Sequence, residues 1–275
     1  MTSPATEVAT RLSALRLVSF VPPERDAVHV GLLSPDAREV VDLAPLGITD
    51  ALEALDQLDM LRRAAGAILH GAARSAFAVD RVHLVAPVPL ARSVVQLRDD
   101  PSATFADPTT LHGPGGFLDR TAAASAQVGL AAVVGAVLQP RMADDAEAIA
   151  TALIGTVLVL GWTQDAPGGG AALLPGAIGP FVAVPQRRPE SLMVTVVAPL
   201  GGDTVADDRR QAAAPGAAAF ADLARRALAS HVLRPGDLLT IFPAQDHAAA
   251  RVPVAAGSWV RAAAPGLGTL SLAVR

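Results

Sequence analysis

The sequence predicts an α+β protein that is mainly β. Short apolar runs recur through its 275 residues, separated by turns rich in Gly and Pro, of which the chain has 23 and 22. Runs of this length between such turns are typical of strands. Helical spacing of apolar residues interrupts the pattern in only three regions, residues 49–68, 144–154 and 217–231.

The first 82 residues are predicted to form a small N-terminal α+β subdomain. Apolar runs at 15–20 and 29–33 flank a Pro-Pro turn and predict a hairpin, and residues 39–43 predict a third strand. Thr49 is a candidate N-cap for the helical region that follows, with Glu53 close behind it.

Residues 83–275 are predicted to form the β-rich core. A strand that ends in prolines at 82–89 marks the boundary between the two units. Acidic residues open the predicted helix at 144–154, and one apolar face runs along the predicted helix at 217–231. The predicted core strands are 128–134, 156–160, 179–184, 192–197, 238–242, 258–262 and 269–274.

Composition excludes several classes of chemistry. All 22 basic residues are Arg, and the chain contains no Lys, Cys, Tyr or Asn. A lysine Schiff base, a thiolate nucleophile, a disulfide and a zinc–thiolate site are therefore impossible. With 26 acidic residues the net charge is −4, and only 3% of residues are aromatic. The chain therefore lacks the basic stripe and the stacking aromatic residues that a nucleic-acid interface uses.

We expect a cytoplasmic protein without membrane contact. Residues 1–16 lack the apolar central stretch of a secretory signal. The apolar runs at 129–138 and 148–162 are shorter than the roughly 20 residues that a spanning helix needs. No nucleotide-binding glycine motif is present, and we expect no organic cofactor.

Seven short segments, taken in order, carry a resemblance to a known family. They are LVSF at 17–20, LVAPVP at 84–89, PTTLHGPG at 108–115, QVGLAAVVG at 127–135, IGPFV at 178–182, LRPGDLL at 233–239 and GLGTL at 266–270. Each is a common turn or strand by itself, but their order over nearly the whole chain resembles the fumarylacetoacetate hydrolase family.

The resemblance implies a mixed β-roll core and a homodimer. It also implies a divalent cation, held by carboxylates, that stabilises an enolate during C–C cleavage, decarboxylation or tautomerisation. This chain departs from the family at the ligand positions, where Gln127, Gly129 and Gly161 replace the three carboxylates. We therefore expect no metal site here. The lid is also shortened to residues 95–107 and lacks the His that the resemblance assigns to general acid/base catalysis.

Loss of charge and bulk at these positions predicts an enclosed apolar cavity lined by Gln127, Trp162 and Phe242. Gln127 is expected to hydrogen-bond a substrate carbonyl, although satisfaction by the backbone is an equal alternative. Gln164 and Arg98 are further candidate substrate contacts, and core packing or a solvated loop are the competing interpretations of Trp162 and Arg98.

Candidates for acid or base chemistry are Asp165 and His112. Asp165 follows a strand where the family places functional residues, and His112 lies in a turn beside the shortened lid. The unperturbed pKa of a histidine, near 6.5, suits proton transfer. A loop cap and an exposed turn are the alternative interpretations of these two residues, and His247 is a loop residue of the same kind.

Three functions remain open from the sequence. One is a repurposed enzyme that catalyses a cyclisation, an isomerisation or an elimination of a largely apolar carbonyl compound without a metal. A second is a non-catalytic relative that acts as a ligand-binding or scaffold dimer. The third is a conventional metal-dependent hydrolase or decarboxylase, which needs ligands that these positions lack.

Overall fold

The computed structural model describes residues 15–71, 74–88, 93–97, 103–106, 111–118, 125–165, 171–184, 189–197, 208–243, 251–254 and 257–275. Its helices are α1 (Ala51–Asp56), α2 (Leu58–His70), α3 (Ala146–Ala152) and α4 (Ala217–Leu228). Short 3₁₀ turns lie at Ala44–Leu46, Val79–Arg81 and Pro140–Met142.

The strands are β1 (Leu15–Val21), β2 (His29–Leu33), β3 (Glu39–Asp42), β4 (Ala76–Ala78), β5 (His83–Val85), β6 (Val94–Leu97), β7 (Ala103–Ala106), β8 (Phe117–Leu118), β9 (Ser125–Val134), β10 (Leu153–Asp165), β11 (Ala171–Val184), β12 (Ser191–Val197), β13 (Asp208–Ala213), β14 (Leu238–Ile241), β15 (Arg251–Pro253), β16 (Trp259–Ala264) and β17 (Gly268–Val274). The prediction of a mainly β, α+β chain is confirmed.

The larger sheet joins the N-terminal strands to the core. Its order is β4-β3-β2-β1-β11-β10-β9-β14-β6-β7, with β5 paired to β1 and β15 paired to β9. Because β1 pairs antiparallel with β11, the N-terminal strands continue the core sheet. Strand β14 runs parallel to β6 and antiparallel to β9, so the sheet is mixed.

A smaller sheet of order β13-β12-β16-β17-β8 covers one face of the larger one. Side chains alternate between the two faces of a strand, and this alternation divides β9 and β10 between two apolar cores. Even-numbered residues such as Val128 and Leu160 pack in the core shared with the smaller sheet and α4. Odd-numbered residues such as Ala131 and Val159 pack in the core that includes α1 and α2.

The helices follow the sequence prediction with local differences. Asp50, and not Thr49, caps α1, because its carboxylate accepts the backbone N–H groups of Leu52 and Glu53 at 2.8 and 2.9 Å. Glu53 reaches back to the N–H and hydroxyl of Thr49, and these hydrogen bonds lower the pKa of Glu53. Helix α3 is shorter than predicted because Leu153 already belongs to β10.

The longest helix in the described part of the chain is α2, with 13 residues. None of the described helices has both the length and the apolar composition that crossing a membrane requires.

Candidate functional site

Gln127, Gly129 and Gly161 meet on one face of the larger sheet. The register of β9 against β10 pairs Gln127 directly with Gly161. Gly129 lies two residues further along β9 and therefore on the same face. This is the odd-numbered face, which continues into the core beneath α1 and α2. The structure thus brings together the three positions where the resemblance places metal-binding carboxylates.

The ring of Phe242 lies against Gly129. A Cβ atom at position 129 would stand 2.6 Å from Cδ1 of Phe242 and 2.7 Å from the backbone oxygen of Ile241. Real Cβ atoms do not approach other atoms so closely, and the oxygen belongs to the backbone, which cannot turn aside as a side chain can. The space that a carboxylate at position 129 would need is therefore occupied.

Gln127 is completely buried, and only one of its two amide groups has a hydrogen-bond partner. Its Nε2 donates a hydrogen bond of 2.8 Å to the backbone oxygen of Pro243, while its Oε1 has no hydrogen-bond partner. The orientation of the amide follows from chemistry, since a backbone oxygen accepts only and must face the NH₂ group. The unpartnered atom is thus an acceptor, which suits an O–H or N–H donor better than the substrate carbonyl predicted from the sequence.

These residues do not fit a hard divalent cation. Mg²⁺, Mn²⁺ and Ca²⁺ take several oxygen ligands, of which carboxylates supply the charge. The three positions offer one neutral amide oxygen. Among the side chains that the structure describes, no group of three His, Asp or Glu residues could hold a metal ion.

Trp162 lies on the opposite face of the sheet. It pairs with Ala126 on β9, one residue out of step with Gln127, and its indole packs in the core shared with the smaller sheet. Its Nε1 is buried without a hydrogen-bond partner, and a Cβ at Gly176 would collide with the indole. The cavity predicted to be lined jointly by Gln127, Trp162 and Phe242 is therefore not formed.

His112 is held by its backbone. Its N–H donates to the oxygen of Gly176 at 2.9 Å, and its oxygen accepts from the N–H of Ile178 at 2.9 Å. These bonds join the segment of His112 to β11, while the imidazole is exposed. The ring is therefore accessible to solvent.

Several predicted site residues lie partly or wholly outside the described chain. Gln164 and Asp165 end β10, where their backbones pair with Ala172 and Ala171, but their side chains are not described. Arg98 and His247 fall outside the described residues altogether.

The arrangement contains two features that the sequence prediction missed. The contact between Phe242 and Gly129, and the bond from Gln127 to Pro243, each join residues more than a hundred positions apart, and no local pattern signals them. The position of Trp162 could have been predicted from the sequence. Side chains alternate along a strand, so Trp162 and its neighbour Gly161 lie on opposite faces.

The fold is shared with solved enzymes over almost the whole chain. Maleylpyruvate hydrolase from Sphingobium sp. SYK-6 is 17% identical, with a TM-score of 0.67 over 94% of this chain and 98% of its own. A probable 2-hydroxyhepta-2,4-diene-1,7-dioate isomerase from Mycobacterium abscessus is 21% identical, with a TM-score of 0.66 over 95% and 98%.

A third similar structure is 5-carboxymethyl-2-hydroxymuconate delta-isomerase from Mycobacterium smegmatis, at 17% identity and a TM-score of 0.59 over 94% of this chain and 98% of its own. The Sphingobium hydrolase has also been solved with manganese(II) and pyruvate. The shared fold confirms the predicted fold class, α+β and mainly β. Neither a protein-family model nor a curated protein matches the sequence.

Proposed function

We propose that this chain is an enzyme that uses the fold of these hydrolases and isomerases for a metal-independent reaction. The substrate class is a largely apolar carbonyl compound, and the reaction is an isomerisation, a cyclisation or a lyase-type elimination. Holding a flexible substrate in its reactive conformation contributes to each of these reactions without a metal. The unpartnered Oε1 of Gln127 is the single observation that carries the proposal.

The buried oxygen has an energetic cost that a ligand can remove. Leaving a buried acceptor without a hydrogen bond costs about 1–3 kcal/mol, and a donor from a ligand recovers part of it. An enol hydroxyl is such a donor, and many carbonyl compounds supply it by tautomerisation. Gln127 therefore favours the enol form over the keto form, which offers no O–H group.

An amide positions a hydroxyl but does not exchange its proton at neutral pH. A second group has to remove or return the proton, and we assign this role to Asp165 or His112. Gln164 and Arg98 stay proposed contacts to the substrate. Trp162 leaves this set, because the sheet separates its side chain from Gln127.

A second candidate function is a non-catalytic ligand-binding or scaffold dimer. The observation that favours it is the ring of Phe242, which occupies the space above Gly129 and leaves fewer positions for catalytic groups on this face. Gln127 would then bind a hydroxyl-bearing ligand without any reaction.

The test uses benzoylacetone, an apolar diketone whose enol absorbs in the near ultraviolet. We measure its keto–enol interconversion and its effect on the melting temperature in the presence of EDTA. The wild-type protein is expected to speed the interconversion, and Gln127→Met is expected to lose about tenfold or more of that rate. Acetophenone, which has almost no enol, should leave the melting temperature unchanged.

Thr156→Val is the matched control, because Thr156 also buries an oxygen without a partner but lies on the other strand face. This variant should keep the wild-type rate. Binding without acceleration would support the non-catalytic candidate instead. Failure of benzoylacetone to bind, or an equal rate in Gln127→Met, would contradict the assigned role of Gln127.

A further inference from the structure

A concave site is lined by residues of both sheets. It is a groove of about 580 Å³. Arg16 of β1 and Phe181 of β11 form the wall from the larger sheet, and Met193 of β12 and Arg209 of β13 form the wall from the smaller sheet. Volumes of this order are typical of small-molecule sites.

The groove is separate from the face that carries Gln127. Phe181 belongs to the core between the sheets, whereas Gln127 lies on the opposite face of the larger sheet. Arg16 pairs with Ala183, which pairs with Thr156, and Gln127 pairs with Gly161. Thr156 and Gly161 are five positions apart on β10, which corresponds to about 17 Å along the strand.

Two guanidinium groups give the groove its charge. The guanidinium carbon of Arg16 stands 5.2 Å from the centre of the Phe181 ring, and its Nη1 donates to the backbone oxygen of Pro35 at 3.2 Å. Nε of Arg209 lies 2.6 Å from Sδ of Met193. Both side chains are thus anchored at the walls that they line.

The sulfur of Met193 is a weak hydrogen-bond partner for the charged guanidinium of Arg209. A thioether sulfur is only a weak acceptor, and in the part of the chain that the structure describes Arg209 forms no ion pair. Among the residues that the structure describes, none that lines the groove is Asp or Glu, although acidic residues outnumber basic ones in the whole chain. A planar guanidinium in this setting matches a carboxylate, which it binds through two parallel hydrogen bonds.

The remaining lining is part polar and part apolar. Gln211 and Thr269 contribute hydrogen-bonding groups, while Met193, Ala263 and the Phe181 ring contribute apolar surface. Gly268 leaves the edge of this ring uncovered, since a Cβ atom at position 268 would stand 3.1 Å from Cε1 of Phe181. A ligand with a charged end and an apolar body therefore fits the groove better than a purely ionic one.

We propose that this groove is a binding site for a small carboxylate with an apolar body. The carboxylate pairs with Arg209 beside Arg16, and the apolar body lies against Met193 and Ala263. The proposal is independent of the function assigned to Gln127, because the two sites use different residues on opposite faces of the larger sheet.

The experiment measures binding of phenylacetate and of its neutral analogue phenylacetamide by isothermal titration calorimetry. Phenylacetate is expected to bind saturably, and phenylacetamide about tenfold more weakly, because it lacks the charge that pairs with the guanidinium. Arg209→Gln should weaken phenylacetate about tenfold and phenylacetamide hardly at all. Ala263→Leu, which fills the groove with a larger apolar side chain, should weaken both ligands.

Arg261→Gln is the matched control, since Arg261 is exposed on the same sheet, lies outside the groove lining, and loses the same charge. It should bind phenylacetate as the wild type does. Absence of saturable phenylacetate binding, or an equal loss in Arg209→Gln and Arg261→Gln, would overturn the proposal. Loss in Gln127→Met but not in Arg209→Gln would place phenylacetate at the other site and also overturn it.

Discussion

At the scale of single residues, Gly129 and Phe242 each limit which side chain the other position can hold. Glycine at position 129 allows the Phe242 ring and the Ile241 oxygen to approach the strand directly. The resemblance implies a carboxylate at this position, and the sequence alone does not show which groups occupy that space here. A carboxylate could not be restored here by a single substitution, because both a side chain and the backbone stand in its way.

Gly129→Ala is expected to lower the free energy of unfolding by about 2 kcal/mol, as overpacking of a close-packed core does. Compared with Phe242→Ala alone, the double variant should lose less than this amount but still lose stability, because the Ile241 oxygen remains 2.7 Å from the new Cβ. Urea denaturation measures both changes. Gly216→Ser is the control, since a Cβ atom at position 216 would have no neighbour within 4 Å, and it should change stability by less than about 0.5 kcal/mol. Equal stability of the double variant and Phe242→Ala would contradict the contact with the backbone.

Gln127→Met tests whether the buried amide is retained for binding or for stability. Methionine has nearly the same shape and removes the unpartnered oxygen, at the cost of one hydrogen bond to Pro243, which is only partly buried. We expect the free energy of unfolding to rise by about 1 kcal/mol. Thermal and urea denaturation measure it, with Thr156→Val as a comparison that should also stabilise. Clear destabilisation by Gln127→Met would show that the amide is structural.

At the scale of elements, the strands were predictable because each is a short apolar run between turn residues. The predicted core strands all occur, but two are much longer than predicted: β10 runs over Leu153–Asp165 and β11 begins at Ala171. What local pattern could not supply is register. Register decides which residues of neighbouring strands meet, such as Gln127 and Gly161. Trp162, by contrast, follows Gly161 directly, so alternation along β10 could have excluded it from the face of Gln127.

The start of α1 shows the same limit on a smaller scale. Thr49 and Asp50 are both good N-cap residues, and only the backbone at Asp50, which is extended, decides between them. Asp50→Ala is expected to cost about 1 kcal/mol of stability, measured by urea denaturation. Thr49→Ala should cost less, because Glu53 keeps its bond to the Thr49 N–H. A larger loss in Thr49→Ala than in Asp50→Ala would contradict the cap seen here.

At the scale of the whole molecule, the resemblance predicts a homodimer, and this stays a prediction. The outer surface of the smaller sheet exposes about half of each of two large aromatic residues, Phe117 and Trp259. They flank Ala273, which pairs with both of them. Light scattering on the purified chain, whose mass is 27.9 kDa, should give about twice that mass. A mass equal to that of one chain would show that this protein departs from the expected assembly.

The fold and the face that carries Gln127 favour different functions. The fold matches that of solved hydrolases and isomerases along nearly the entire chain, one of them in complex with manganese(II). The face formed by Gln127, Gly129 and Gly161 offers a single neutral oxygen in place of a charged ligand set. We propose that this face binds a hydrogen-bond donor and not a cation.

The most direct test is an electron paramagnetic resonance titration of free Mn²⁺ with the purified, EDTA-treated chain. Free Mn²⁺ gives a sharp signal that is lost when the ion binds to a protein. We predict that an equimolar amount of the chain leaves the signal at the strength it has in buffer, in the wild type and in Gln127→Met alike. Loss of about one equivalent of free Mn²⁺ in the wild type, restored by Gln127→Met, would contradict this claim.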